Sequence, residues 1–468
     1  MESRRHGQGR RAMSDEQREG PREPTDATFP IGLHNAFLFS FFNALSYQIV
    51  LSSPMVLYAR TLGASATVLG IVAGMMPLLV IFQIPAASYI PRVGFKRFVY
   101  AGWGTRVMFI FAMALVPLTS GFLDAKNRLA LMLALLFCFN LSRGISSCAW
   151  LPWITLLVPA SLRGKYLSRD AAVQSSGSFV TFLLAAACLS GEARAWQFAV
   201  LFAFSAVTGA VSLSFLKRIP DTETPEDIRS SKARVPWLEM MAYPPFRKLL
   251  WAVVGWSIAY GGITAFTATF LKVSGMSEGK ILLVTSAFFL GGLSSLWVLG
   301  SRLDRVGSKP VLTLAFIAWV AVLAGWVTLS GGVFPVKLPS VLLLQFLMGL
   351  LMALVQMSNT RLAMAVIPVM GRNHFFAIYS VIWNVTLGLA PIGWGLLIDA
   401  VGTRAPHWLG LSWNRFTIFF AAAAAVYCST LFLIRRLEEP EAASMEELLR
   451  EVLIQSPQRL LVRLWPRG

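Results

Sequence analysis

Charge is scarce in this chain. Only 14% of its 468 residues are Asp, Glu, Lys or Arg, against about 25% in an ordinary soluble domain. Acids are the rarer sign, 23 against 41 bases. Cysteine is scarce too. Cys138, Cys148, Cys188 and Cys428 are the full set, and all four sit in apolar runs. None forms a CxxC pair or stands beside histidines at metal-ligand spacing, so they read as small packing residues rather than disulfides or zinc ligands. There are four histidines and no HExxH. There is no Gly-x-x-x-x-Gly-Lys-Ser/Thr loop to cradle a nucleotide, which argues against an ATP-driven pump. We expect no enzyme, no cofactor and no metal.

What fills the chain instead is apolar. The hydrophobic share is 56% and the mean hydropathy is +0.63. These residues fall in blocks of about 20, enough to cross about 30 Å of hydrocarbon as a helix. In lipid each block must satisfy its own backbone, so it is predicted helical. Twelve blocks are expected, at roughly 32–58, 66–90, 97–119, 128–158, 166–190, 194–216, 249–271, 279–301, 310–330, 338–367, 374–399 and 411–434. The first 30 residues are polar and carry no short apolar core with a cleavage site, so no cleaved leader is expected, and Met13 is an alternative start.

The net charge of +18 invites a nucleic-acid reading, which the distribution opposes. With the N-terminus placed in the cytoplasm, 29 of the 41 bases fall in cytoplasmic segments and nine outside. That is the positive-inside pattern, with both termini cytoplasmic. No nucleic-acid partner is expected. Short loops and compact halves suggest a bacterial inner membrane.

The longest internal polar stretch divides the blocks six and six. Around it, motifs repeat. "YIPRVGFKR" follows block two and "RLDRVGSKP" follows block eight, placing Arg92 and Arg305 213 residues apart. "VPASLRGKYLS" and "IPVMGRNHFFA" follow blocks four and ten, placing Arg163 and Arg372 209 apart. Two matches at nearly one offset imply duplicated halves. The expected organisation is a disordered N-tail at 1–29, a six-helix bundle at 30–218, a cytoplasmic linker at 219–248, a second bundle at 249–434 and a tail at 435–468. In that tail Met445, Leu448, Leu449, Val452 and Leu453 share one helical face, as in a helix lying on the inner leaflet or packed on the domain.

"GSRLDRVGSK", at 300–309, fits Gly-x-x-x-Asp-Arg-x-Gly-x-Lys between blocks eight and nine. With its partial copy after block two, it resembles the loop signature of the major facilitator superfamily, over residues 30–434. The resemblance implies an all-α integral membrane fold of two pseudo-symmetric six-helix bundles. It further implies a transporter whose central cavity opens to one side at a time by rocker-switch alternating access. Gly300 and Gly307 would permit a tight turn. Asp304 and Arg305 would latch the cytoplasmic side, with Arg163 and Arg169 as partners and Arg92 and Gly94 in the first copy. That copy has Pro91 where the family places Asp.

Polar residues inside a bilayer are costly and mark cavities or helix contacts. They recur at helical spacing here: Asn43, Tyr47 and Gln48 in block one, and Asn140, Arg143 and Trp150 in block four. Gln174 follows in block five, Tyr260 in block seven, Gln356 and Asn359 in block ten, and Asn384 in block eleven. These are the candidate substrate contacts. Arg143 lies halfway along its block with almost no acid at that depth, so either helix carbonyls and water or an anionic substrate group must answer its charge. A polar or anionic solute is the leading expectation and amphiphile efflux the alternative. A non-transporting receptor or scaffold on the same fold is a further one. The expected partners are a small-molecule substrate and membrane lipid, and the chain is expected to be a monomer.

Overall fold

A computed structural model describes residues 29–30, 32–159, 162–191, 193–222, 237–299, 308–366 and 372–436. Eleven helical stretches are long and apolar enough to cross a membrane, and Glu278–Leu299 adds a further helix of 22 residues. In chain order they are α1 (His34–Thr61), α2 (Ala66–Ala87), α3 (Phe95–Gly121) and α4 (Ala125–Leu157). Next come α5 (Arg163–Cys188), α6 (Ala195–Arg218), α7 (Pro244–Val273), α8 (Glu278–Leu299) and α9 (Ser308–Ser330). Last are α10 (Leu338–Val366), α11 (Arg372–Val401) and α12 (Arg415–Arg435). Each corresponds to one expected block.

The main boundary difference is at α7, which begins at Pro244 rather than 249. Prolines in a helix's first turn lose no intrahelical bond, so Pro244 and Pro245 start the helix instead of blocking it. Hydropathy misses this because Arg247 and Lys248 follow. Several traverses are also broken inside. α1 is interrupted at Ser52, just before Pro54. α2 tightens to a 3₁₀ turn at Val80–Phe82, and α7 breaks at Gly261 and Gly262.

Consecutive helices reverse direction, so the molecule has two ends. The start of α1, the end of α12 and the connection between α6 and α7 share one, called here the termini end. The short connections α1–α2, α5–α6, α7–α8 and α11–α12 share the opposite end. The last of these carries a hairpin, β1 (His407–Trp408) with β2 (Leu411–Ser412). Leu409 and Gly410 both take positive φ, 53° and 72°, which matches the twist of a two-residue hairpin turn.

Among the first six helices, α1 packs on α5 and α6, and α3 on α4 and α6. Among the last six, α7 packs on α11 and α12, α8 on α10, and α9 on α10 and α12. The main core runs through both groups, from Ile49 and Phe182 to Trp256 and Phe420, and a smaller one around Trp103 and Trp153 lies within the first. Trp256 stacks on Tyr260 and Trp319 on Tyr427, with Tyr260 and Trp319 meeting edge to face. Between the groups, α2 lies along α11 and α5 along α8. The α2–α11 contact is backbone-close. A Cβ on Gly70 or Gly74 would strike the carbonyls of Pro391 or Gly388, so glycine is what permits the approach. The tails at 1–28 and 437–468, residues 223–236 of the expected linker, and Gly300, Asp304, Arg305 and Gly307 lie outside the described residues.

Candidate functional site

A cavity of about 550 Å³ lies between the two groups of helices. α1 presents Ser40, Asn43, Tyr47 and Gln48 to it, the i, i+3, i+7, i+8 face of one helix. α3 adds Trp103 and Arg106, α4 adds Arg143, Ser147 and Trp150, and α5 adds Gln174. From the second group come Tyr260 and Thr264 of α7, Thr285, Phe288 and Phe289 of α8, Gln345 of α10, and Leu387 and Pro391 of α11. The α7 break opens onto this space. Gly262 sits at φ +82°, a left-handed conformation that costs a side-chain-bearing residue about 1–2 kcal/mol. The indole of Trp394 donates to the Ile258 carbonyl at 2.7 Å, answering one backbone acceptor beside the break.

The charges are one-sided. Arg106 is 4% exposed. Its Nη2 donates to Asn43 Oδ1 at 3.2 Å, and its guanidinium lies 4.5 Å from the Trp103 ring centroid and 5.3 Å from that of Phe139. Its Nε has no hydrogen-bond partner, nor has Nη1 of Arg143. Among the described residues, no carboxylate lines the cavity. Sequence explains the lack: from residue 31 to 169 Asp124 is the sole acid, and it caps α4 at the opposite end by accepting from the Asn127 amide. Asp170 is buried behind the wall, accepting from Gln174 Nε2 at 2.7 Å with Oδ1 unpartnered. Gln174 Oε1 in turn accepts from the Tyr47 hydroxyl at 3.5 Å, and Gln48 donates to Ser178 at 2.9 Å.

Of the residues singled out in the sequence, Asn43, Tyr47, Gln48, Arg143, Trp150, Gln174 and Tyr260 come together here. Asn140, Gln356, Asn359 and Asn384 are not in the lining. Asn140 is buried and donates to its own helix at Leu136 O, 3.0 Å away. Asn384 does the same to Ser380 O at 2.8 Å. Gln356 is exposed and Asn359 buried. α10 reaches the cavity instead through Gln345, about 21 Å further along the helix from Asn359. Arg106 and Gln345 escaped the sequence reading. Arg106 had the signal that marked Arg143, a guanidinium mid-block without an acid. Gln345 is a lone amide in a run of leucines and had none.

The opposite end is sealed. Asp399, in the last turn of α11, accepts from the backbone amides of Ala66 and Thr67 at 3.1 and 2.8 Å and from the Thr67 hydroxyl at 2.6 Å. A carboxylate from one half thus caps a helix N-terminus of the other, where the dipole favours it. Ser53 and Thr285 hydrogen-bond between the halves at 3.1 Å, and Phe182 stacks on Phe289 with centroids 5.2 Å apart. Of the expected latch, Arg163 donates to Thr155 O and Val158 O at 2.9 and 3.3 Å, closing the end of α4. Arg169 lies over the Phe37 ring at 4.9 Å. Arg92 is exposed, and Gly94 turns the chain into α3 at φ +85°.

The family model of the Major Facilitator Superfamily matches residues 36–332 and 275–465. Solved structures agree in fold. A D-xylose–proton symporter is 15% identical with a TM-score of 0.69, covering 87% of this chain and 98% of its own. The xylose transporter XylE from E. coli, in an inward-open conformation, is 14% identical with a TM-score of 0.67, covering 89% and 98%. The nucleoside transporter NupG is 11% identical with a TM-score of 0.67, covering 87% and 100%. No curated protein sequence matches the chain.

Proposed function

The chain belongs to the Major Facilitator Superfamily, and from that premise we propose that it carries a small anionic solute across the cytoplasmic membrane by alternating access. That it is a multi-pass membrane transporter and not an enzyme follows from the family and the helical spans. Its solute does not follow from the solved neighbours, which share 11–15% of residues and speak for the fold. The observation that carries the anionic reading is the pair Arg106 and Arg143, facing a cavity without a carboxylate, each with an unpartnered nitrogen. A buried guanidinium without a counter-charge is unfavourable, and a bound carboxylate or phosphate answers it with charge-assisted hydrogen bonds.

The conformation supports the alternating-access reading. The end bearing Asp399 is closed across the halves, while the lining runs on toward the termini end through Phe39, Ser40 and Trp150. The bases concentrate at the termini end, which the positive-inside rule assigns to the cytoplasm. We therefore read the described state as inward-facing, with 30–218 and 249–434 as the two rocking bodies.

The test is a thermal-shift screen of the purified protein with carboxylates, phosphorylated sugars, neutral sugars and lipophilic cations. A ligand of the folded state at 100-fold its Kd adds about 2.7 kcal/mol of stability. The reading expects one anionic class to stabilise and Arg143→Lys to weaken that effect, because lysine lacks the bidentate fork. Equal stabilisation of the variant and the parent protein would remove Arg143 from recognition. Amphiphile efflux keeps a place as the second reading because Phe288, Phe289, Leu387 and Pro391 make part of the cavity wall apolar.

A further inference from the structure

The cavity divides its chemistry between walls. Both charges stand on α3 and α4, with Asn43, Tyr47 and Gln48 of α1 beside them. The lining from the second group of helices is uncharged: Phe288 and Phe289 of α8 and Leu387 and Pro391 of α11 give it an apolar face, with Tyr260, Thr264, Thr285 and Gln345 beside them. This apolar wall is fixed in place. Phe289 stacks on buried Phe182 at an interplanar angle of 14° and meets Phe288 edge to face. On the cationic side, Trp103 lies against the Arg106 guanidinium, which orients that group while leaving its Nε unpartnered.

Building on the anionic reading above, we infer that the transported solute is an amphipathic organic anion: a carboxylate, sulfonate or phosphate head on an apolar, planar body. A volume of 550 Å³ falls within the roughly 300–1,000 Å³ range of drug-sized ligand sites and far exceeds one anionic head. A small inorganic anion would satisfy the arginines and leave the phenylalanine wall against water. A neutral amphiphile would cover that wall and leave two cations without a counter-charge. A lipophilic cation would be repelled by both arginines. Only a solute carrying both parts meets both walls.

The experiment is isothermal titration of the full chain in nanodiscs. Its probes are acetate, benzoate and 2-naphthoate, with benzamide and 2-naphthamide as uncharged partners. We expect affinity to rise steeply from acetate to naphthoate, by about fourfold for each methylene-equivalent of surface buried. Naphthamide should bind at least tenfold more weakly than naphthoate. Phe289→Ala should lower naphthoate affinity by tenfold or more and acetate affinity by less. Phe288→Leu, which keeps the wall apolar, should give a smaller loss and guards against a folding defect in the first variant. Arg143→Gln should collapse the naphthoate–naphthamide difference. If all three anions bind alike while the amides do not, the amphipathic inference is overturned and the anionic reading stands. If the amides bind as tightly as the anions, both fall. Failure of every anion to bind at millimolar concentration would also overturn the inference.

Discussion

At the scale of single residues, the cavity is governed by how two guanidinium groups are held. An arginine at mid-membrane depth costs about 3 kcal/mol in a helix facing lipid, and a wet cavity lowers that cost. Arg106 is steadied on three sides, by Asn43, Trp103 and Phe139. Hydrogen bonds to a charged group contribute about 1.5–3 kcal/mol. Asn43→Ala should therefore weaken anion binding about tenfold by loosening Arg106, while Asn43→Asp should weaken it further by supplying a competing internal anion. A titration of both variants with one anion checks the order. Asn43 and Arg143 could be picked from the sequence because each falls on a polar helical stripe. Arg106 has no stripe around it in α3, and only its depth betrays it.

Elements decide where polar residues end up, and that is what sequence patterns conveyed least. Twelve apolar blocks were legible because lipid demands length and apolarity, both visible in one dimension. The rotation and depth of each helix are not. Asn140 and Asn384 looked like cavity residues, yet each amide bonds back to its own helix, i to i−4. Asp399, at the end of α11, caps α2 from the other half, a contact no pattern in the sequence announces. Losing a capping acceptor costs about 1 kcal/mol. Asp399→Ala should accordingly shift the equilibrium about fivefold toward opening at that end, read as faster labelling of a cysteine introduced at Thr264. Unaltered labelling would mean that Asp399 merely decorates α2. At the α7 break, Gly262→Ala should lower the thermal midpoint, since alanine at φ +82° carries about 1–2 kcal/mol of strain. A crowding Phe266 ring adds to it.

Across the whole molecule, the halves meet tightly at one end and enclose a cavity with cations on one side and an apolar wall on the other. The close approaches of Gly70 and Gly74 to α11 give this state an interface that larger residues would wedge apart. Gly74→Leu should disfavour the described state, and distance measurements between spin labels on α2 and α11 would show the separation. The repeat of loop motifs made the two halves legible, whereas the interface between them rests on glycine and backbone contacts that no pattern announces.

The measurement that bears most directly on the anionic transport reading is counterflow in proteoliposomes, which needs no knowledge of the coupling ion. Vesicles loaded with unlabelled 2-naphthoate are diluted into labelled naphthoate, and uptake is followed in the parent protein and in Arg143→Gln. We predict transient accumulation with the parent protein, competition by naphthoate but not by naphthamide, and at least a tenfold slower exchange in the variant. Equal exchange in the variant, or equal competition by the amide, would contradict it.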